Sequence, residues 1–171
     1  MANVYDLIDN MFDNAELSAE SYDPTISTES DRPEYLPWHA TKKNHVQRTF
    51  NLDTTATFIK DWKAATSEIF NTEDENYIEL KDKLISKTNN GIAHPNSKYS
   101  KKKARRMEFQ LSSSKRAKTH DCRVFYAILN KASKIYLLSI ASQAEHHKDQ
   151  KDLKAVSRAD AEIAKLKENP L

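Results

Sequence analysis

The sequence predicts an α+β fold, a small sheet with helices before and after it, on three observations. Met107, Phe109 and Leu111 alternate with more polar neighbours, the two-residue period of a strand. RVFYAIL (123–129) and KIYLLSI (134–140) are nearly continuous apolar runs with no polar face, which suits central strands covered on both sides. Apolar residues recur at helical spacing on either side of this block.

Taken in order, the first strand is VQRTFNL, beginning at about His45, where the alternation starts. A helix follows, opened by Asp53 or Thr54 as N-cap, with Phe58, Trp62, Ala65 and Ile69 on one face. A second helix at about Glu73–Lys87 aligns Tyr77, Leu80 and Leu84 and stops near Asn90-Gly91. Gly91, the single glycine of the chain, suits the left-handed residue that ends a helix. After the Pro-containing loop GIAHPNSKYS come the three strands, the last two joined by a turn at Asn130–Ser133. From Asp152 to Lys167 helical spacing returns through Val156, Ala159, Ile163 and Leu166. The order is β-α-α-β-β-β-α, and Phe125, Tyr126, Tyr136 and Leu138 are assigned to packing.

Composition narrows the function classes. At 171 residues the chain has room for one ordinary domain. A shift in composition near residue 40 divides it into an acidic, largely flexible leader (1–44) and a domain (45–171). No run is apolar for long enough to span a bilayer, and the start MANVYDLIDN has no secretory pattern, so a cytoplasmic protein without a membrane partner is expected. Cys122 is the single cysteine, which excludes an internal disulfide and a Cys-based zinc site. His39, His45, His94, His120, His146 and His147 lack the i,i+4 spacing of a zinc helix, and no Gly-rich phosphate loop or nucleophile elbow is present. No metal or other cofactor is expected.

The net charge of +2 conceals a polar distribution. Residues 1–38 carry Asp6, Asp9, Asp13, Glu16, Glu20, Asp23, Glu29, Asp31 and Glu34 against Arg32, a charge of −8. Residues 98–118 carry Lys98, Lys101, Lys102, Lys103, Arg105, Arg106, Lys115, Arg116 and Lys118 against Glu108, a charge of +8. A basic cluster of this density suits a polyanionic partner; the alternative is a solvated face or loop. The leader, which also carries Val4, Leu7, Ile8, Met11 and Phe12, is expected either to cover the basic surface electrostatically or to act as a solubilising tail.

The segment DCRVFYAILNKASKIYLLSIASQAEHHKDQKDLKAVSRADAEIAKL resembles the C-terminal half of the RelE/ParE superfamily of toxins from bacterial toxin–antitoxin modules. TATFIKDWKAA and the following helix are similar to that family's N-terminal helical hairpin, and GIAHPNSKYSKKK to its Gly-x-x-x-Pro loop. The resemblance spans about residues 46–168. It implies a small antiparallel sheet with helices on one side and an open, concave, basic face on the other. It also implies a cognate antitoxin, and in nuclease members metal-free cleavage of messenger RNA, usually on the ribosome. There the ribose 2′-hydroxyl attacks the adjacent phosphate, so the protein must remove a proton, stabilise the phosphorane and protonate the leaving 5′-oxygen.

By position Arg123 matches the family's strand arginine, where a guanidinium can grip phosphate with two N–H groups. Its alternative is a strand-edge ion pair with Asp121. Lys101, Lys102, Lys103, Arg105, Lys115 and Arg116 are the RNA-binding candidates. Alternation gives Arg105 the face of Met107 and Phe109, so Arg106 is the candidate for the polar groove and joins the catalytic set. His146 and His147, after the last strand, are the acid/base candidates, with plain surface histidines as the alternative; His94 and His120 are further candidates. Asn96 stands where some relatives carry a carboxylate, and Ser142 and Gln143 where others have a second base. Two rival readings use the same scaffold: a ParE-like inhibitor of DNA gyrase, and an inactive relative that only binds nucleic acid.

Overall fold

The computed structural model describes residues 49–111 and 122–171. The acidic leader therefore lies outside the described residues, and so does the start of the first expected strand, up to residue 48. What the structure describes is an α+β fold with a small mixed sheet. Its elements are β1 (Asn51–Thr54), α1 (Ala56–Thr66), α2 (Glu75–Asn89), β2 (Arg105–Phe109), β3 (Cys122–Leu129), β4 (Lys134–Ser142), α3 (Gln143–Lys148) and α4 (Leu153–Ile163). The short helix α3 is additional to the predicted order.

Local chemistry sets the helix ends. Thr55, one residue later than expected, caps α1 by accepting the Phe58 N–H at 3.1 Å. The helix stops at Thr66 because Ser67 turns left-handed, so Ile69 does not continue the apolar stripe and is 80% exposed. Phe70 takes the inward place instead, edge-on to Trp62 and Tyr77 at ring separations of 5.7 and 5.0 Å. Asp74 caps α2. At its far end Gly91 adopts φ 72°, its N–H reaches Thr88 O at 3.1 Å and the Ile92 N–H reaches Lys87 O at 2.8 Å. That pair of reversed bonds is the Schellman arrangement expected of this glycine.

The strands lie in the order β1-β4-β3-β2. β2, β3 and β4 are antiparallel to one another, whereas β1 runs parallel to β4, with Asn51 opposite Lys134 and Thr54 opposite Leu137. The wholly antiparallel sheet implied by the family resemblance is thus corrected to a mixed one. Alternation identifies extended backbone but says nothing of its partner's direction. The Asn130–Ser133 turn closes as predicted, with Ser133 left-handed.

Both faces of the sheet are covered. On the first, Phe58, Trp62, Tyr77, Leu80 and Leu84 of α1 and α2 pack on Met107, Phe109, Val124, Tyr126, Ile128, Ile135 and Leu137. On the second, Ala155, Val156, Ala159 and Ile163 of α4 pack on Phe125, Ala127, Leu138, Ala141 and Ala104. The double coverage predicted from the two apolar runs is borne out; the open second face implied by the resemblance is not. Small alanines on α4 and on the strands beneath let helix and sheet approach closely.

Because β1 pairs with only the first half of β4, side chains finish that edge. Thr55 Oγ1 donates to the Leu137 and Leu138 carbonyls at 3.0 Å each. Asp61 Oδ2 accepts the Ile140 N–H at 2.9 Å, and Arg158 Nη2 donates to the Ile140 carbonyl at 2.9 Å. Arg158 also forks onto both Glu145 oxygens at 2.8 and 2.9 Å and reaches Asp61 at 3.0 Å, tying α1, α3 and α4 together at the sheet edge.

Candidate functional site

Strand alternation distributes the three arginines. Met107 and Phe109 enter the first core, which sends Arg106 and Glu108 to the second face, beside Phe125 and Arg123 in the register. Arg106 is half-exposed and pairs with Glu108 at 3.0 Å. Arg105, placed among the RNA-binding candidates, is instead turned into the protein. Its Nη1 donates to the His94 carbonyl at 2.5 Å and its Nη2 to the Leu171 carbonyl at 3.2 Å. Its fork fastens the loop before β2.

Arg123 occupies β3 opposite Glu108 on one side and Ala141 on the other. Its Nε and Nη1 are buried, and neither has a hydrogen-bond partner among the described residues. Buried donors of this kind are costly to leave unpaired. Asp121, the alternative ion-pair partner, lies outside the described residues, as do Lys115, Arg116, His120, His39 and His45.

Two residues beyond Ala141 the chain enters α3, which carries His146 and His147. Ser142 accepts the Glu145 N–H at 3.2 Å, so the stretch Ser142-Gln143-Ala144-Glu145 opens a helix in the manner of a capping box. His146 Nδ1 meets Asp152 Oδ1 at 2.8 Å. A carboxylate oxygen only accepts, so Nδ1 is the donor of this hydrogen bond. The His146 side chain is 24% exposed and that of Asp152 only 1%. Asp152 itself sits at φ 53°, and its Oδ2 has no hydrogen-bond partner among the described residues. The pair therefore fixes the orientation of the His146 ring. His147 is exposed, with its ring 6.4 Å from that of His146.

His94 goes elsewhere. It is 8% exposed, its Nδ1 lies 2.8 Å from the Tyr126 hydroxyl, and its Nε2 lies 3.1 Å from Lys87 Nζ. Burial, with Lys87 and Arg105 nearby, pushes its pKa down to about 4, and burial pushes Tyr126 up to about 12. His94 is therefore a neutral core member and not a surface acid. The unfolded chain takes up this proton near the ordinary value of 6.5 while the folded chain resists it to about 4. Stability should accordingly fall as pH drops through that window, by about 3 kcal/mol in all. Urea unfolding of wild type and His94→Gln at pH 7 and pH 4 checks this: the variant should lose less stability on acidification, and equal losses would refute the assignment.

The lysines occupy the turn before β2. Lys101, Lys102 and Lys103 are all exposed, Lys103 with φ 64°. Ser100 holds the turn: its Oγ donates to Asp160 Oδ1 of α4 at 2.5 Å and accepts the Ala104 N–H at 2.8 Å. The Lys101 N–H adds a bond to Asp160 Oδ2 at 2.8 Å.

Sequence reasoning singled out Arg123, Arg106, His146 and the lysine run, but missed Asp152 and Arg158. The Ser142–Glu145 capping pattern was the available signal for α3; a six-residue separation offered none for the His146–Asp152 pair. Among the described residues no three His, Cys, Asp or Glu side chains converge as metal ligands, and no helix is long and apolar enough to cross a membrane. No protein-family model, curated protein or solved structure matches the chain.

Proposed function

We propose that this protein is a metal-independent endoribonuclease, the toxin of a toxin–antitoxin pair, acting on messenger RNA at the ribosome and held in check by a cognate antitoxin. The observation that carries the reading is the His146–Asp152 pair, an imidazole held by a buried carboxylate with Nε2 left to exchange protons. Arg123 supports it with two buried N–H groups that lack partners among the described residues. In this reading His146 Nε2 takes the proton of the ribose 2′-hydroxyl and the oxygen attacks phosphorus. Arg123 and Arg106 donate to the phosphorane oxygens, and His147 protonates the departing 5′-oxygen. A 2′,3′-cyclic phosphate and a free 5′-hydroxyl result. Lys101, Lys102 and Lys103 hold the backbone and supply most of the salt-sensitive affinity.

A second reading has an observation of its own. Because α4 covers the second face of the sheet, the broad open surface of the resembled nucleases is absent there, which favours a binder that grips nucleic acid through the lysine turn without cutting it. Expression in a bacterial host without any antitoxin separates the two. The nuclease reading predicts growth arrest and RNA fragmentation with wild type, both abolished by Arg123→Ala. Unaffected growth and intact RNA at high expression would overturn it.

A further inference from the structure

Tyr99 is 39% exposed and stands between two ammonium groups, with Lys98 Nζ 6.0 Å and Lys151 Nζ 5.9 Å from its ring centroid. From this geometry we infer that Tyr99 is a stacking platform for one base of single-stranded nucleic acid, with Lys98 and Lys151 gripping the phosphates beside that base. The inference rests on the nucleic-acid-binding part of the proposed function and is independent of cleavage.

Three features carry it. Large exposed aromatic side chains are few among the described residues, and this one lies inside the most basic stretch of the chain, next to exposed Lys101, Lys102 and Lys103. Its support is fixed: Ser100 N–H bonds to Ser97 O at 3.0 Å, and Ser100 Oγ and Lys101 N both bond to Asp160, so the ring is presented from a turn anchored to α4. Finally, both lysines sit at the outer limit of a useful cation–π contact, so their ammonium groups exchange the ring for phosphate oxygens at little cost.

The chemistry selects the ligand class. Every base offers a π-face and every linkage a charge, so an aromatic ring flanked by lysines suits an unpaired strand of any sequence. Duplex bases are already stacked and leave the ring without a partner. An acidic peptide would use the lysines but not the ring. Lys151 also directly precedes Asp152, the carboxylate that orients His146, so a base held on Tyr99 lies beside the loop that carries Asp152.

The test is fluorescence anisotropy with the full chain and a labelled single-stranded 2′-deoxy oligonucleotide, which lacks the attacking hydroxyl and so cannot be cut. Inorganic polyphosphate, as competitor, serves as the base-free polyanion. Tyr99→Ala should weaken oligonucleotide binding roughly tenfold, the loss of one stacked base, while Tyr99→Trp retains it. Polyphosphate affinity should be unchanged in Tyr99→Ala and reduced in the double variant Lys98→Ala, Lys151→Ala. Wild-type affinity of Tyr99→Ala for the oligonucleotide would overturn the platform and leave nucleic-acid binding standing. Equal weakening toward oligonucleotide and polyphosphate would assign Tyr99 to holding the lysines and also overturn it. Failure of the wild-type chain to bind the oligonucleotide at all would remove the nucleic-acid reading and the platform together.

Discussion

Replacing His146 with asparagine is expected to slow RNA cleavage by roughly 10²–10⁴-fold, the range for losing a positioned general acid or base. Asparagine is the informative replacement because Asp152 is almost wholly buried and its Oδ1 is hydrogen-bonded to His146 Nδ1. Alanine would strand that carboxylate and confuse lost stability with lost chemistry. The asparagine amide can still donate to Oδ1 but offers no nitrogen that exchanges a proton. The thermal midpoint should therefore stay close to that of wild type while turnover collapses. Asp152→Asn tests the same pair from the other side: with a carboxamide as partner, either imidazole tautomer is tolerated and the pH–rate profile should shift. A cleavage rate in His146→Asn equal to wild type would remove His146 from the mechanism.

The largest stability effect is expected at Arg158. This one guanidinium serves Glu145 twice, Asp61 once and the Ile140 carbonyl once, at the point where β1 has run out and β4 needs its edge closed. Burial lifts Asp61 above the ordinary carboxylate range in spite of the Ile140 N–H and Arg158, and its bonds to Glu145 raise Arg158 further. Arg158→Met keeps the volume but leaves two half-buried carboxylates facing each other and a carbonyl without its donor. A loss of about 3–4 kcal/mol follows, somewhat below the full value for a deeply buried pair because the Arg158 side chain is 33% exposed. In a chain of this size that is a fall in Tm of about 10 °C. The sign of the pH dependence is distinctive. A carboxyl with a raised folded pKa is best tolerated in its neutral form, so the deficit of Arg158→Met should narrow at acid pH as Asp61 takes up its proton. The His94 contribution is common to both proteins and cancels in the comparison. Denaturant unfolding at pH 7 and pH 4.5 measures it, and a deficit that grows on acidification would contradict this account of the edge.

How legible this was in the sequence depended on the range of the interaction that fixed each feature. Features set within a few residues could be read directly. Gly91 ends α2 as a left-handed residue, Tyr77, Leu80 and Leu84 form one buried face, and the apolar runs at 123–129 and 134–140 are covered on both sides. Features set by distant partners could not. The parallel pairing of β1 with β4 joins residues more than 80 positions apart, and the alternation around Phe50 is silent about direction. Ile69 continues the helical spacing of Phe58 and Trp62, but one left-handed residue, Ser67, ends the helix first, and propensity gave no warning of it.

The candidate site divides along the same line. Alternation separated Arg105 from Arg106 correctly, yet only the folded chain brings the carbonyls of His94 and Leu171 to Arg105 and so withdraws it from the surface. His146 was visible as a histidine after the last strand; that Asp152 orients it depends on a left-handed turn that no spacing rule anticipates. The resemblance suggested an open face where α4 lies, while the residues of β3 and β4, apolar on both sides, already argued for a covered one. Where the two readings conflicted, the burial pattern of the residues was the better guide.

The central claim is metal-free cleavage of RNA at the His146–Arg123 end of the sheet. Incubating the full-length protein with single-stranded RNA in excess EDTA, and analysing the termini of any fragments, tests it most directly. The account predicts fragments ending in 2′,3′-cyclic phosphate with new 5′-hydroxyl ends, formed by wild type and not by His146→Asn. RNA that stays intact with bound wild-type protein, or fragments bearing 5′-phosphate, would contradict it.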